Sequence, residues 1–311
     1  MSLDRRKFIS MTAGLGTLAL GSWETLMAAK PGFAIPADFQ LSIMGTNWGF
    51  AGSVDAFCEK AKKAGYDGIE MWWPGTTEKQ DELFAALKKH QLQIGFLAGG
   101  SDKMPEKHFQ QFKQMVDGAA YQQMQKPLYI NCHSGRDFFS KEDNGKFIDY
   151  TTQVASETGN LICHESHRSR MLFAAHIAKQ FINSYPSLRM TLDISHWCNV
   201  HETLLHDQDE TVQLALERTD HIHARIGHPE GPQVNDPRAP EWETAVKRHL
   251  EWWDAVVALK LKNGTKRLTI LTEFGPPDYL PTLPYTRQPL ADQWDINVYM
   301  MQLLRKRYLP A

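Results

Sequence analysis

Short β-rich runs alternate with amphipathic helical patterns eight times between residues 41 and 274, and this alternation limits the fold more than any other feature. The strand candidates are Leu41–Thr46, Gly68–Trp72, Ile94–Ala98, Leu128–His133, Leu161–Glu165, Met190–Asp193, His221–Arg225 and Thr269–Phe274. The helical patterns between them have readable ends. Ser53 is placed to cap a helix whose Val54, Phe57, Cys58 and Ala61 share a face, and Gly65 to close it. Further helices are expected over 82–89, 171–182 and 252–261. No Pro-, Gly- or Ser-rich linker divides residues 31–311, so these units read as a single-domain (β/α)8 barrel, with a doubly wound open sheet as the rival. A barrel places its chemistry at the C-terminal ends of the strands.

Residues 1–30 stand apart. Asp4-Arg5-Arg6-Lys7-Phe8 precedes a weakly apolar run from Met11 to Leu20 and a small-residue stretch ending at Ala29. This layout resembles a twin-arginine export signal, and its apolar run is about half the length a membrane span needs. It predicts cleavage near Ala29 and a periplasmic or otherwise exported protein. The chain balances 34 Lys plus Arg against 36 Asp plus Glu. Removing residues 1–30 takes Arg5, Arg6, Lys7 and Lys30 but only Asp4 and Glu24, which leaves a more acidic remainder. Nothing draws such a chain to nucleic acid or to an anionic membrane, so neither partner is expected. Four cysteines without a C-x-x-C pair argue against a disulfide scaffold, and a homo-oligomer is left open.

The last four strand candidates each end in metal-competent side chains. They read Ile162-Cys163-His164-Glu165, Leu192-Asp193-Ile194-Ser195-His196, His221-Ile222-His223-Ala224-Arg225 and Leu271-Thr272-Glu273. Strand four ends in Asn131-Cys132-His133, and strand two carries Glu70 and Trp72. Charged groups inside a barrel mouth cost on the order of several kcal/mol unless paired or metal-bound. Such ends on four successive strands are therefore hard to read as chance, although buried ion pairs bracing a barrel would also place them there.

Glu165, Asp193 with His196 three residues on, His223 and Glu273 resemble the metal site of the xylose isomerase-like TIM barrels, within them the sugar phosphate isomerase/epimerase family. The resemblance implies that Glu165, Asp193, His223 and Glu273 hold one divalent cation, that Glu165 and Glu273 are the acid and base, and that His196 contacts substrate. Three carboxylates and one imidazole are a mostly hard donor set, suited to Mn²⁺, Mg²⁺ or Co²⁺ more than to Zn²⁺. The sequence departs from two branches of the family. Met171 stands where ketohexose 3-epimerases carry a second glutamate. Strand three ends in Ala98-Gly99-Gly100 and no Asp-x-His follows His223, so the three-zinc set of the apurinic endonucleases is incomplete.

The remaining candidates carry two readings each. His133 contacts substrate or a second metal, or is a hydrogen-bonded histidine of the mouth. His167 and Arg168 follow Glu165; Arg168 either binds a substrate oxygen or pairs with Asp193 or Glu165. Period-two alternation puts Arg225 on the inward face of His223, with His221 deeper as a core histidine. Glu70 is expected to point inward with Trp72, and of Trp48, Trp72, Trp73 and Trp197 one or two are expected to stack on a sugar. The sequence thus predicts a metal-dependent isomerase or epimerase moving a proton next to the carbonyl of a keto sugar. A 3-keto-glycoside lyase or hydratase using the same groups, and a non-catalytic periplasmic sugar-binding barrel, are the alternatives.

Overall fold

The computed structural model describes residues 31–308; the export-signal reading of residues 1–30 lies outside the described residues. Eight parallel strands close into a barrel in sequence order. They are β1 (Gln40–Thr46), β2 (Gly68–Trp72), β3 (Gln93–Gly99), β4 (Ile130–His133), β5 (Ile162–Glu165), β6 (Met190–Leu192), β7 (Thr219–Ala224) and β8 (Arg267–Thr272). Closure rests on β1 pairing with β8 from Gln40↔Arg267 to Gly45↔Thr272, which excludes the open doubly wound sheet.

Around the barrel lie α1 (Val54–Ala64), α2 (Thr77–His90), α3 (Pro105–Tyr121), α4 (Lys141–Thr158), α5 (Ala175–Ser184), α6 (Ser195–Val200), α7 (Asp209–Arg218), α8 (Glu243–Lys262) and α9 (Gln293–Tyr308). The Ser53 side chain accepts from the Ala56 amide at 3.2 Å, Gly65 closes α1 at φ 99°, and Phe57, Cys58 and Ala61 are buried against the sheet. The helix read from Met171 begins only at Ala175. The Met171 amide donates to the Ser134 carbonyl at 3.0 Å, so residues 166–174 run as a loop across the end of β4. The helices read at 82–89 and 252–261 are the C-terminal parts of α2 and α8.

Asp193, Arg225 and Glu273 each sit one residue beyond the strand that carries them. At the mouth, side chains replace the ladder: Ser166 Oγ accepts from the Asp193 amide at 2.9 Å and Asn297 Oδ1 from the Phe274 amide at 2.9 Å. The main hydrophobic core fills the layer between strands and helices. Inside the barrel a small apolar group, Met44, Tyr129 and Leu271, occupies the interior. Gly95 is required there, because a Cβ at that position would lie 2.3 Å from the Tyr129 ring. That ring stacks on His221 at 3.7 Å between centroids. Among the described residues, no helix is long and apolar enough to cross a membrane.

Candidate active site

Alternation along β5 turns Cys163 and Glu165 inward and His164 outward, where His164 lies 2.7 Å from Ser134 Oγ and 2.8 Å from Thr151 Oγ1. The same period on β7 turns His221, His223 and Arg225 inward, and Asp193 and Glu273 follow β6 and β8 into the mouth. Glu165, Asp193, His223 and Glu273 thereby converge: each offers one donor atom, and the four atoms all lie within 4.8 Å of one another.

Glu165 Oε2 accepts from Asn131 Nδ2 at 2.6 Å and lies 2.9 Å from His133 Nε2. Burial alone would raise this carboxyl, but His133 and His223 hold it well below the usual carboxylate range. Asp193 accepts from Ser195 Oγ and forms a buried ion pair with Arg225, whose guanidinium also meets His196 Nε2 at 2.8 Å. Burial, with Glu273 and Glu165 close by, pushes Asp193 up to about 7 against the pull of Arg225. Three carboxylates thus share one guanidinium and one imidazole.

His223 Nδ1 stands 2.8 Å from Glu273 Oε2 and 3.7 Å from Glu165 Oε2. Against the effect of burial, Glu273, Glu165 and Glu70 raise this imidazole well above its usual value. His223 Nδ1, Glu273 Oε2 and Glu165 Oε1 are buried without a hydrogen-bond partner. The 2.8 Å between His223 Nδ1 and Glu273 Oε2, an ion pair with the imidazole protonated, is also the spacing of neighbouring ligands on a small cation that would replace that proton, about 3 Å for bonds of about 2.1 Å. The residues therefore fit a hard divalent ion by position, charge and unsatisfied donor atoms. On its other side, His223 Nε2 lies 3.4 Å from Glu70 Oε2, and His221 Nε2 lies 3.6 Å from the same oxygen. Glu70 is fully buried; desolvation opposes its charge, but His223 and His221 bring it down to about 2.

Above these groups opens a cavity of about 330 Å³, lined by Thr46, Asn47, Trp48, Trp72, Leu97, His133, His167, Arg170, Arg225, Glu273 and Tyr279. That is near the small end for small-molecule sites. Among the tryptophans, Trp48 and Trp72 reach the cavity. Trp73 packs on Phe96, and Trp197 is fully buried with its indole N–H on the Leu172 carbonyl. His167 packs beside His133 and His196, its Nδ1 against the Arg168 carbonyl, and burial lowers its pKa to about 3.

Arg168 pairs with neither Asp193 nor Glu165. It bonds Asn199 Oδ1 at 3.2 Å and lies over the Tyr279 ring, while Asp193 is claimed by Arg225 and Arg170 lines the cavity instead. His196 is completely buried behind Arg225 rather than on the cavity wall. The sequence reading also missed Asn131, Arg170 and Tyr279. Asn131 had a signal, since it shares the inward face with His133; the other two lie in loops.

The family of xylose isomerase-like TIM barrels matches residues 58–253. No curated protein sequence matches the chain. Among solved structures, a xylose isomerase-like TIM barrel protein from Mycobacterium smegmatis, in complex with magnesium, is similar with a TM-score of 0.56. It is 12% identical, over 86% of this chain and 97% of that one. The 3-keto-D-glucoside 4-epimerase of E. coli gives a TM-score of 0.54 at 15% identity, over 86% of this chain and 99% of that one. A probable 3-DHS dehydratase from Bacillus anthracis gives 0.53 at 16% identity, over 85% and 98%. At these identities the likeness is one of fold.

Proposed function

We propose that this chain, which belongs to the xylose isomerase-like TIM barrel family, is a divalent-metal-dependent isomerase or epimerase that moves a proton next to the carbonyl of a keto sugar. The observation that carries the reading is the convergence of Glu165, Asp193, His223 and Glu273 on one point, with donor atoms left unsatisfied. These four residues would hold the ion, with Mn²⁺, Mg²⁺ or Co²⁺ favoured over Zn²⁺ by the oxygen-rich set. When bound, the ion supplies electrophilic polarisation of a carbonyl, which acidifies the neighbouring C–H.

The chain's own groups do the rest. Glu165 is kept ionised by His133 and His223, as a base must be. Glu273, 8% exposed, faces the cavity and is the partner carboxylate for returning the proton. His167 is held neutral; with its Nδ1 proton on the Arg168 carbonyl, Nε2 is left to accept from a substrate hydroxyl. Trp48 and Trp72 offer aromatic faces to the apolar side of a sugar ring. The 3-keto-D-glucoside 4-epimerase on the same fold makes keto-glycosides the first substrates to try. The twin-arginine-like segment at residues 1–30 supports placing the activity outside the cytoplasm.

The test is deuterium wash-in from D₂O into keto sugars, followed by NMR, with Glu165→Gln and Glu273→Gln as controls. Exchange without loss of mass, abolished in both variants, is expected. An enone product would move the assignment to a lyase, and tight sugar binding without exchange in any protein would make the barrel a binding protein.

A further inference from the structure

Resting on that reading, we propose that the substrate carries a carboxylate and that Arg170 receives it. Arg225 and Arg170 both line the cavity, but their surroundings differ. Arg225 is neutralised by Asp193 and lies 3.8 Å from Glu273. Arg170 donates Nη1 to the Gly100 carbonyl at 3.2 Å, its Nε is buried without a partner, and among the described residues no carboxylate lies within ion-pair distance. Burial and the neighbouring Arg136 guanidinium work against its charge, and the more distant Glu165 and Asp137 carboxylates offset them only in part. Arg136 itself has a buried, unpartnered Nε and no carboxylate partner among the described residues.

A half-buried guanidinium without an ion-pair partner is costly, and it persists where something else supplies the anion at close range. Its planar fork matches two oxygens of a carboxylate, which a neutral polyol cannot imitate with charge. The cavity also presents apolar surface, in Trp48, Trp72 and Leu97. A ligand with both a carbon face and an anionic end fits both kinds of surface. Arg170 is thus a specificity-determining residue for an oxidised, acidic keto sugar.

The test is calorimetric titration of the Mn²⁺-loaded full chain with 5-keto-D-gluconate and with L-sorbose, which differ only by a carboxylate in place of a hydroxymethyl group. The acid is expected to bind the wild type about tenfold tighter or more, in keeping with hydrogen bonds to a charged group. Arg170→Met should bring that ratio to within about twofold, and Arg170→Lys should retain part of the preference, the single charge without the fork. Melting temperatures check that both variants are folded, and Arg170→Gln, which keeps a donor for the Gly100 carbonyl, replaces a variant that is not. No measurable binding of the acid, no preference in the wild type, or a preference that survives in Arg170→Met overturns the proposal. Tighter binding of a phosphate ester such as fructose 6-phosphate overturns the carboxylate assignment. Deuterium wash-in to L-sorbose by the wild type tests proton transfer separately, so each reading fails on its own.

Discussion

Adding Mn²⁺ to chelator-stripped protein should raise its melting temperature, and Asp193→Asn should remove most of the rise. The four donor atoms lie within 4.8 Å of one another in the folded chain, on residues 165 to 273, and no such site survives unfolding. The ion therefore binds the native state alone and stabilises it by linkage, about 2.7 kcal/mol at a hundredfold excess over the dissociation constant. For a chain of this size each kcal/mol moves the midpoint by roughly 2 °C, so a rise of about 4–6 °C is expected. Asparagine keeps the shape of Asp193 but takes away one anionic donor. It also strips Arg225 of its buried partner, a loss of order 3–5 kcal/mol before Glu273, 3.8 Å away, takes over part of that role. The stripped variant should thus melt below the stripped wild type and respond little to metal. Differential scanning fluorimetry across Mn²⁺, Mg²⁺ and Co²⁺ reads both effects. No rise in the wild type with any of the three, or an equal rise in Asp193→Asn, would refute the shared-ion reasoning.

Glu70→Gln should weaken metal affinity about 10–100-fold, because Glu70 faces the ring nitrogen of His223 that points away from the proposed ion; a metal titration with an unchanged midpoint counts against this role. Buried His164 and His249 are held to about 3 and about 4 by desolvation, so between pH 6.5 and 4 the unfolded chain takes up protons that the folded chain refuses. Stability should therefore fall as pH drops from 7 to 5, by about 2 kcal/mol per histidine, and His249→Gln should remove about that much of the difference in urea melts. Expressed in a bacterium with twin-arginine export, the mature protein should begin at or near Lys30, just after Ala29, and N-terminal sequencing that finds an intact Met1 terminus in the exported fraction would contradict the signal reading.

The barrel and its inward residues were legible because two periodicities suffice for them. Alternation along a strand fixes direction, and a strand's end fixes depth, and both agree with the places that the family resemblance implied for Glu165, His223 and Glu273. The same logic would have reached Asn131 from His133. It fails beyond the strand, and Arg168 and Arg170 show why. Two residues past Glu165 the backbone leaves the sheet, Ser169 takes φ 65°, and the Met171 amide is drawn to Ser134. Which arginine meets the cavity is then decided by a contact between two loops. Tyr279 is less legible still, since its place under Arg168 and Arg225 depends on how the β8–α9 connection folds back. The choice of Arg225 over Arg168 for Asp193 follows from depth: Arg225 leaves β7 beside His223, whereas Arg168 has already turned outward to Asn199.

The interior then explains how one barrel tolerates so many charges. Met44, Tyr129 and Leu271 form an apolar group inside it, and Tyr129 gains its place from the missing side chain of Gly95. Against that group sits His221, bound to Thr269 and 3.6 Å from Glu70, so the carboxylate meets imidazoles rather than hydrocarbon. His223 joins Glu70 on one edge to Glu165 and Glu273 on the other. Each layer thus compensates the charge of the next except at the rim. There three carboxylates crowd around His223, and Arg170 stands without an ion-pair partner among the described residues. The two imbalances have opposite signs and face one cavity, which is the arrangement expected if a cation and an acidic substrate complete it together.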